Sequence, residues 1–91
     1  MKLQKTLIVK NDLGLHIRPA ATIVKLLQSV KSQVFFTLKK ETVNAKSIMS
    51  ILMLAAKKDS SITITVEGLD AEIVMKKITD CFEKGFGESN E

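Results

Sequence analysis

Between Ser61 and Glu67 the chain alternates without a break, Ile62, Ile64 and Val66 against Thr63, Thr65 and Glu67. A period of two places the three aliphatic side chains on one face of a strand and the polar ones on the other. Such a strand has one buried and one wet face, so its sheet needs a cover on one side only. Two helical stripes can supply that cover. Ala20, Ile23, Val24 and Leu27 fall at i, i+3, i+4 and i+7 in a helix spanning Ile17 to about Ser29. Val74, Ile78, Cys81 and Phe82 form a second stripe near the end of the sequence.

The remaining segments fit between these elements. Leu3 to Val9 reads as a strand with Leu3, Leu7 and Val9 on one face and Ile8 on the other, followed by a turn at Asn11, Asp12 and Gly14. Val34, Phe36 and Leu38 alternate with Phe35, Thr37 and Lys39, and Lys39-Lys40 turns this strand into a short third one, Thr42 to Asn44. Ser47 is placed to cap a short helix running through Ile48, Met49, Ile51 and Leu52. Gly68 closes the alternating strand, Asp70 is expected to cap the last helix through its side chain, and Gly85 to stop it. The order is strand, helix, two strands, helix, strand, helix, an α+β arrangement with helices on one face of a sheet.

Ninety-one residues leave room for one core, so residues 1–91 are expected to form one domain, with 88–91 frayed. A domain this small hardly encloses a substrate, which directs attention to chemistry on the surface. The start has no apolar run of signal-peptide length, and the apolar stretch 48–56 is too short to span a membrane. The single cysteine, Cys81, cannot form an internal disulfide and falls on an apolar stripe, as a small core residue would. A cytoplasmic protein with no membrane insertion is expected. The net charge of +4 is spread as single and paired lysines, and four Phe with no Tyr or Trp leave little for base stacking. A solvated basic surface, suited to acidic protein partners, fits better than nucleic-acid binding.

The segment Leu13 to Ala21, LGLHIRPAA, holds the only histidine. His16 lies where a turn meets a helix, and Pro19 falls in the first helical turn, where a missing N–H costs little. Unpaired N–H groups and the helix dipole make this end an anion site at Ile17 and Arg18, to which the Arg18 guanidinium adds planar donors. A positive setting favours neutral, nucleophilic imidazole, and the negative charge of a phosphorylated ring would be met there. Read by itself, His16 could equally cap the helix or lie idle. One histidine and one cysteine without clustered carboxylates argue against a metal, and no cofactor is expected.

The segment GLHIRPAA resembles the active-site signature of the HPr family, the histidine-containing phosphocarriers of the bacterial phosphoenolpyruvate-dependent phosphotransferase system. AKSIMSILML, from Ala45, is similar to the family's regulatory-serine segment and lies at the expected distance. The resemblance implies a two-layer open-faced sandwich, βαββαβα, with a four-stranded antiparallel sheet in the order 1-4-2-3 and three helices on one face. It implies that His16 takes the phosphoryl group on Nδ1, assisted by Arg18, from enzyme I, and passes it to enzyme IIA domains for sugar uptake or its regulation. The chain would then be a monomeric carrier with a phosphohistidine intermediate rather than a free-standing enzyme.

By the same resemblance, Ser47 is a target of HPr kinase/phosphorylase, and phosphate there would set negative charge beside an apolar face. Ile48, Met49 and Leu52 are the candidate contacts for partners, methionine being adaptable to several surfaces. Three positions depart from the family pattern: Ile17 in place of a small residue, and Ala45 and Ser50 in place of common glycines. The ending CFEKGFG resembles the nitrogen-related branch, NPr. A regulatory interaction module acting without phosphoryl transfer is the alternative, and a small basic RNA-binding domain the third reading.

Overall fold

In the computed structural model, which describes residues 1–88, the alternating segment becomes a central strand. Four strands and three helices follow in the order β1 (Lys2–Ile8), α1 (Ile17–Leu27), β2 (Gln33–Leu38), β3 (Glu41–Asn44), α2 (Ile48–Met53), β4 (Ser61–Glu67) and α3 (Ala71–Glu83). A tight turn over Gly85–Gly87 follows α3. The sheet order is β1-β4-β2-β3 and every pairing is antiparallel. The open, four-stranded arrangement expected from the resemblance is therefore present.

The register explains why one face is dry. Leu7 pairs with Ile62, Leu3 with Val66, and Val34 and Phe36 with Val66 and Ile64 across the other side of β4. These inward side chains join Ala20, Ile23 and Leu27 of α1, Ile51 of α2, and Val74, Ile78 and Phe82 of α3 in one buried cluster. Each fully buried aliphatic or aromatic side chain contributes about 1.5–3 kcal/mol relative to exposure. Phe36 and Phe82 meet edge-to-face with centroids 5.8 Å apart, tying the sheet to α3. The outer face is hydroxyl-rich and cross-linked, Gln4 Nε2 donating to Thr65 Oγ1 at 3.1 Å and the Thr37 and Thr42 hydroxyls lying 2.8 Å apart.

Three local expectations change on contact with the tertiary structure. Asp70 stands at the start of α3, but its carboxylate makes no capping bond to that helix. It reaches instead to the loop before β2, accepting from Lys31 N at 2.8 Å, from Ser32 N at 2.9 Å and from the Ser32 hydroxyl. Cys81 is only partly buried, at the margin of the core. Glu88, expected in a frayed tail, is held by side-chain hydrogen bonds to Asn11 and His16, because the Gly85–Gly87 turn folds the chain back over that region. Residues 89–91 of the same expectation lie outside the described residues.

Candidate active site around His16

The loop from Val9 to His16 is fixed before the histidine is reached. Val9 N donates to Ser60 O and Asp59 N donates to Val9 O, so the chain leaves β1 bound to the segment entering β4. Gly14 has φ +67°, and a Cβ there would lie 2.2 Å from the carbonyl oxygen of Ala56. Only glycine allows the next residue to close on that carbonyl, which Leu15 N does at 2.9 Å. Leu15 is buried, and it anchors the backbone immediately before His16.

His16 occupies the N-cap position of α1 with extended backbone angles. Its own side chain makes no capping bond, so capping does not account for the residue. Its carbonyl accepts from Ala20 N, starting the helix. Pro19 is the third residue and has no N–H to leave unpaired. The Ile17 and Arg18 amides form no hydrogen bond among the described residues. Two free donors at the positive end of an eleven-residue helix therefore lie beside the imidazole.

The ring is accessible, with 33% of its side-chain surface exposed, and its Nε2 lies 2.8 Å from Glu88 Oε2. The same oxygen is 4.0 Å from Arg18 Nη1, whose side chain is 76% exposed. The setting of the ring is thus mixed rather than purely positive, with a carboxylate near the guanidinium and helix amides. Periodicity carries no signal for Glu88. Among the described residues, nothing hydrogen-bonds to Nδ1.

Ser47 and the apolar helix lie next to this region through the contact of α2 with α1. Ser47 caps α2, its hydroxyl accepting from Ser50 N at 3.2 Å. Ile48 and Met49 are exposed, Met49 to 70%, whereas Leu52 packs partly into the core. Met53 and Ile17 are also exposed and enlarge the apolar surface beyond the three residues singled out from sequence. Ala45 is fully buried, so its methyl fills core space.

An accessible imidazole at the start of a helix with unpaired amides, on a small open-faced α+β sandwich, is the geometry suited to group transfer at a protein surface. Residues 3–84 match the family described as the PTS HPr component phosphorylation site, and the chain belongs to the HPr family of phosphocarriers of the phosphotransferase system. It is 48% identical over 87 residues to phosphocarrier protein HPr of Chlamydia pneumoniae, covering 96% of this chain and 81% of that one. The crystal structure of HPr-C-His from Thermoanaerobacter tengcongensis superposes with a TM-score of 0.91 at 37% identity, covering 96% of this chain and 98% of that one. An HPr dimer from the same organism superposes with a TM-score of 0.76 at 39% identity, covering 88% and 92%. Among the described residues, no helix is long and apolar enough to cross a membrane.

Proposed function

We propose that His16 accepts a phosphoryl group from phosphorylated enzyme I and passes it to enzyme IIA-type acceptors. Family membership supports the phosphocarrier role. The observation that carries the residue assignment is the position of His16 at the N-terminus of α1, beside unpaired amides. Nδ1 attacks phosphorus as the donor's bond to it breaks, and the bonding electron pair leaves with the donor. The N–H groups of Ile17 and Arg18 and the Arg18 guanidinium meet the charge on the transferred oxygens. Reversal toward an acceptor needs only the same groups, which suits a carrier working in the cytoplasm as a monomer.

Ile48, Met49 and Leu52 are the proposed docking contacts, and Ser47 the proposed site of regulatory phosphorylation by HPr kinase/phosphorylase. A phosphate on Ser47 would stand at the edge of that apolar face and deter acidic partners.

The test is incubation with enzyme I and phosphoenolpyruvate, followed by intact mass with and without acid treatment. One acid-labile phosphate, absent from His16→Ala, is expected. No labelling by an enzyme I active on another carrier would overturn the assignment and favour the regulatory module.

A further inference from the structure

The chain returns to His16 after α3 by an unusual backbone route. Gly85, Phe86 and Gly87 take φ of +58°, +58° and +75° in succession. The left-handed region is open to glycine but is sterically strained for an aromatic residue. Phe86 is held there by its ring, which packs edge-on against Phe82 with centroids 5.0 Å apart. The result delivers the Glu88 carboxylate, only 10% exposed, to the histidine.

That carboxylate is gripped from both sides. Asn11 is completely buried, and its Nδ2 donates to Gly14 O at 2.7 Å and to Glu88 Oε1 at 2.8 Å. The reverse amide orientation would set a carbonyl oxygen against two acceptors, so the orientation is fixed by chemistry. It leaves Asn11 Oδ1 buried without a partner, a cost accepted in return for holding Glu88. The other carboxylate oxygen, Oε2, faces His16 Nε2, with the Arg18 guanidinium 4.0 Å from the same oxygen.

An ionised carboxylate accepts hydrogen bonds and cannot donate them. Nε2 must therefore carry the proton, and in the neutral ring the lone pair then resides on Nδ1. We propose that Asn11 and Glu88 form a positioning relay that fixes the His16 ring in the orientation and tautomer presenting Nδ1 to the phosphoryl group. Glu88 is a positioning residue here: it acts through the ring and does not touch phosphorus. The proposal deepens the carrier reading and rests on it.

Glu88→Ala and Glu88→Gln test the two-acceptor geometry, since glutamine keeps the reach of the side chain but only one of its two acceptor oxygens. ¹H–¹⁵N spectra of the imidazole should show an exchange-protected Nε2–H in the wild type. That signal should be lost in Glu88→Ala and not regained in Glu88→Gln, whose NH2 would meet either the Asn11 amide or the Nε2–H, both donors. The rate of acceptance from enzyme I should fall roughly ten-fold in Glu88→Ala, about the worth of one charge-assisted hydrogen bond, and stay low in Glu88→Gln. A Glu88→Ala protein that keeps both the protected proton and the wild-type rate overturns the relay alone. Wild type that takes no phosphate overturns the carrier reading, and with it any role of the relay in transfer.

Discussion

Asp70 and Ser32 are joined by two hydrogen bonds across 38 positions of sequence, the Asp70 carboxylate taking both the backbone N–H and the hydroxyl of Ser32. Ser32 is completely buried, so without Asp70 its N–H would have no water to turn to. The pair fastens the loop leaving α1 to the start of α3 and thereby closes the helical layer over the sheet.

This contact makes stability pH-dependent in a defined direction. The Ser32 hydroxyl first, then the Lys31 and Ser32 amides, hold the Asp70 carboxyl below its ordinary value. Because the folded-state pKa is depressed, the stabilisation is present above the ordinary carboxylate range and is lost as pH falls through the folded value. Asp70→Ala should lower Tm by roughly 5 °C at neutral pH, and the gap from wild type should narrow below about pH 4. A gap constant down to pH 2 would remove this account.

Gly14→Ala tests whether the tight turn positions His16. The substitution combines a left-handed alanine with a collision against the Ala56 carbonyl oxygen. A loss of about 2–4 kcal/mol is expected from the urea midpoint, with slower phosphoryl acceptance because Leu15 can no longer close on Ala56. Wild-type stability in this variant would show that the loop has another way round.

Arg18→Ala should separate transfer from folding. The guanidinium is exposed and its ion pair is long, so the urea midpoint should move by no more than about 0.5 kcal/mol. Single-turnover acceptance should slow roughly ten-fold while the final extent of labelling is retained. Equal, rapid transfer would sink the role assigned to Arg18.

For the docking face, Met49→Asp is the cleaner probe because Met49 is exposed, whereas Leu52→Asp also disturbs packing. Affinity for enzyme I by titration calorimetry should drop roughly ten-fold or more. Leu69→Asp serves as the control: this residue is also exposed and follows the far end of β4. Equal affinities for both variants and wild type would discard the patch.

Much of this architecture could be read from local pattern. The alternation at Ile62, Ile64 and Val66 and the stripe at Ala20, Ile23 and Leu27 name their own inward faces, because one buried side writes a period into the sequence. Ser47 could be read as a cap from its own neighbourhood, and its hydroxyl does bond to Ser50 N. Strand order was a different matter. It came from the family resemblance, since the pairing of Leu3 with Val66 joins residues that share no local signal. Asp70 and Glu88 escaped for the same reason. Each has partners dozens of positions away, and a carboxylate leaves no periodic mark showing where it will point. Leu52 shows the converse, for a short helix that is apolar all round does not reveal which residues its neighbours will cover.

The pairing of β1 with β4 also determines when the molecule can come into being. Lys2 to Ile8 leave the ribosome ahead of the rest of the sheet, yet their hydrogen-bonding partners are Ser61 to Glu67. Until that stretch has emerged, β1 has no neighbour in the sheet, and Ala56, on which Leu15 closes, emerges only shortly before it. Long-range closure of this kind is paid in chain entropy before any contact rewards it. The histidine is therefore synthesised before the strand that completes its surroundings, and a nascent chain halted before β4 would carry the ring without the site.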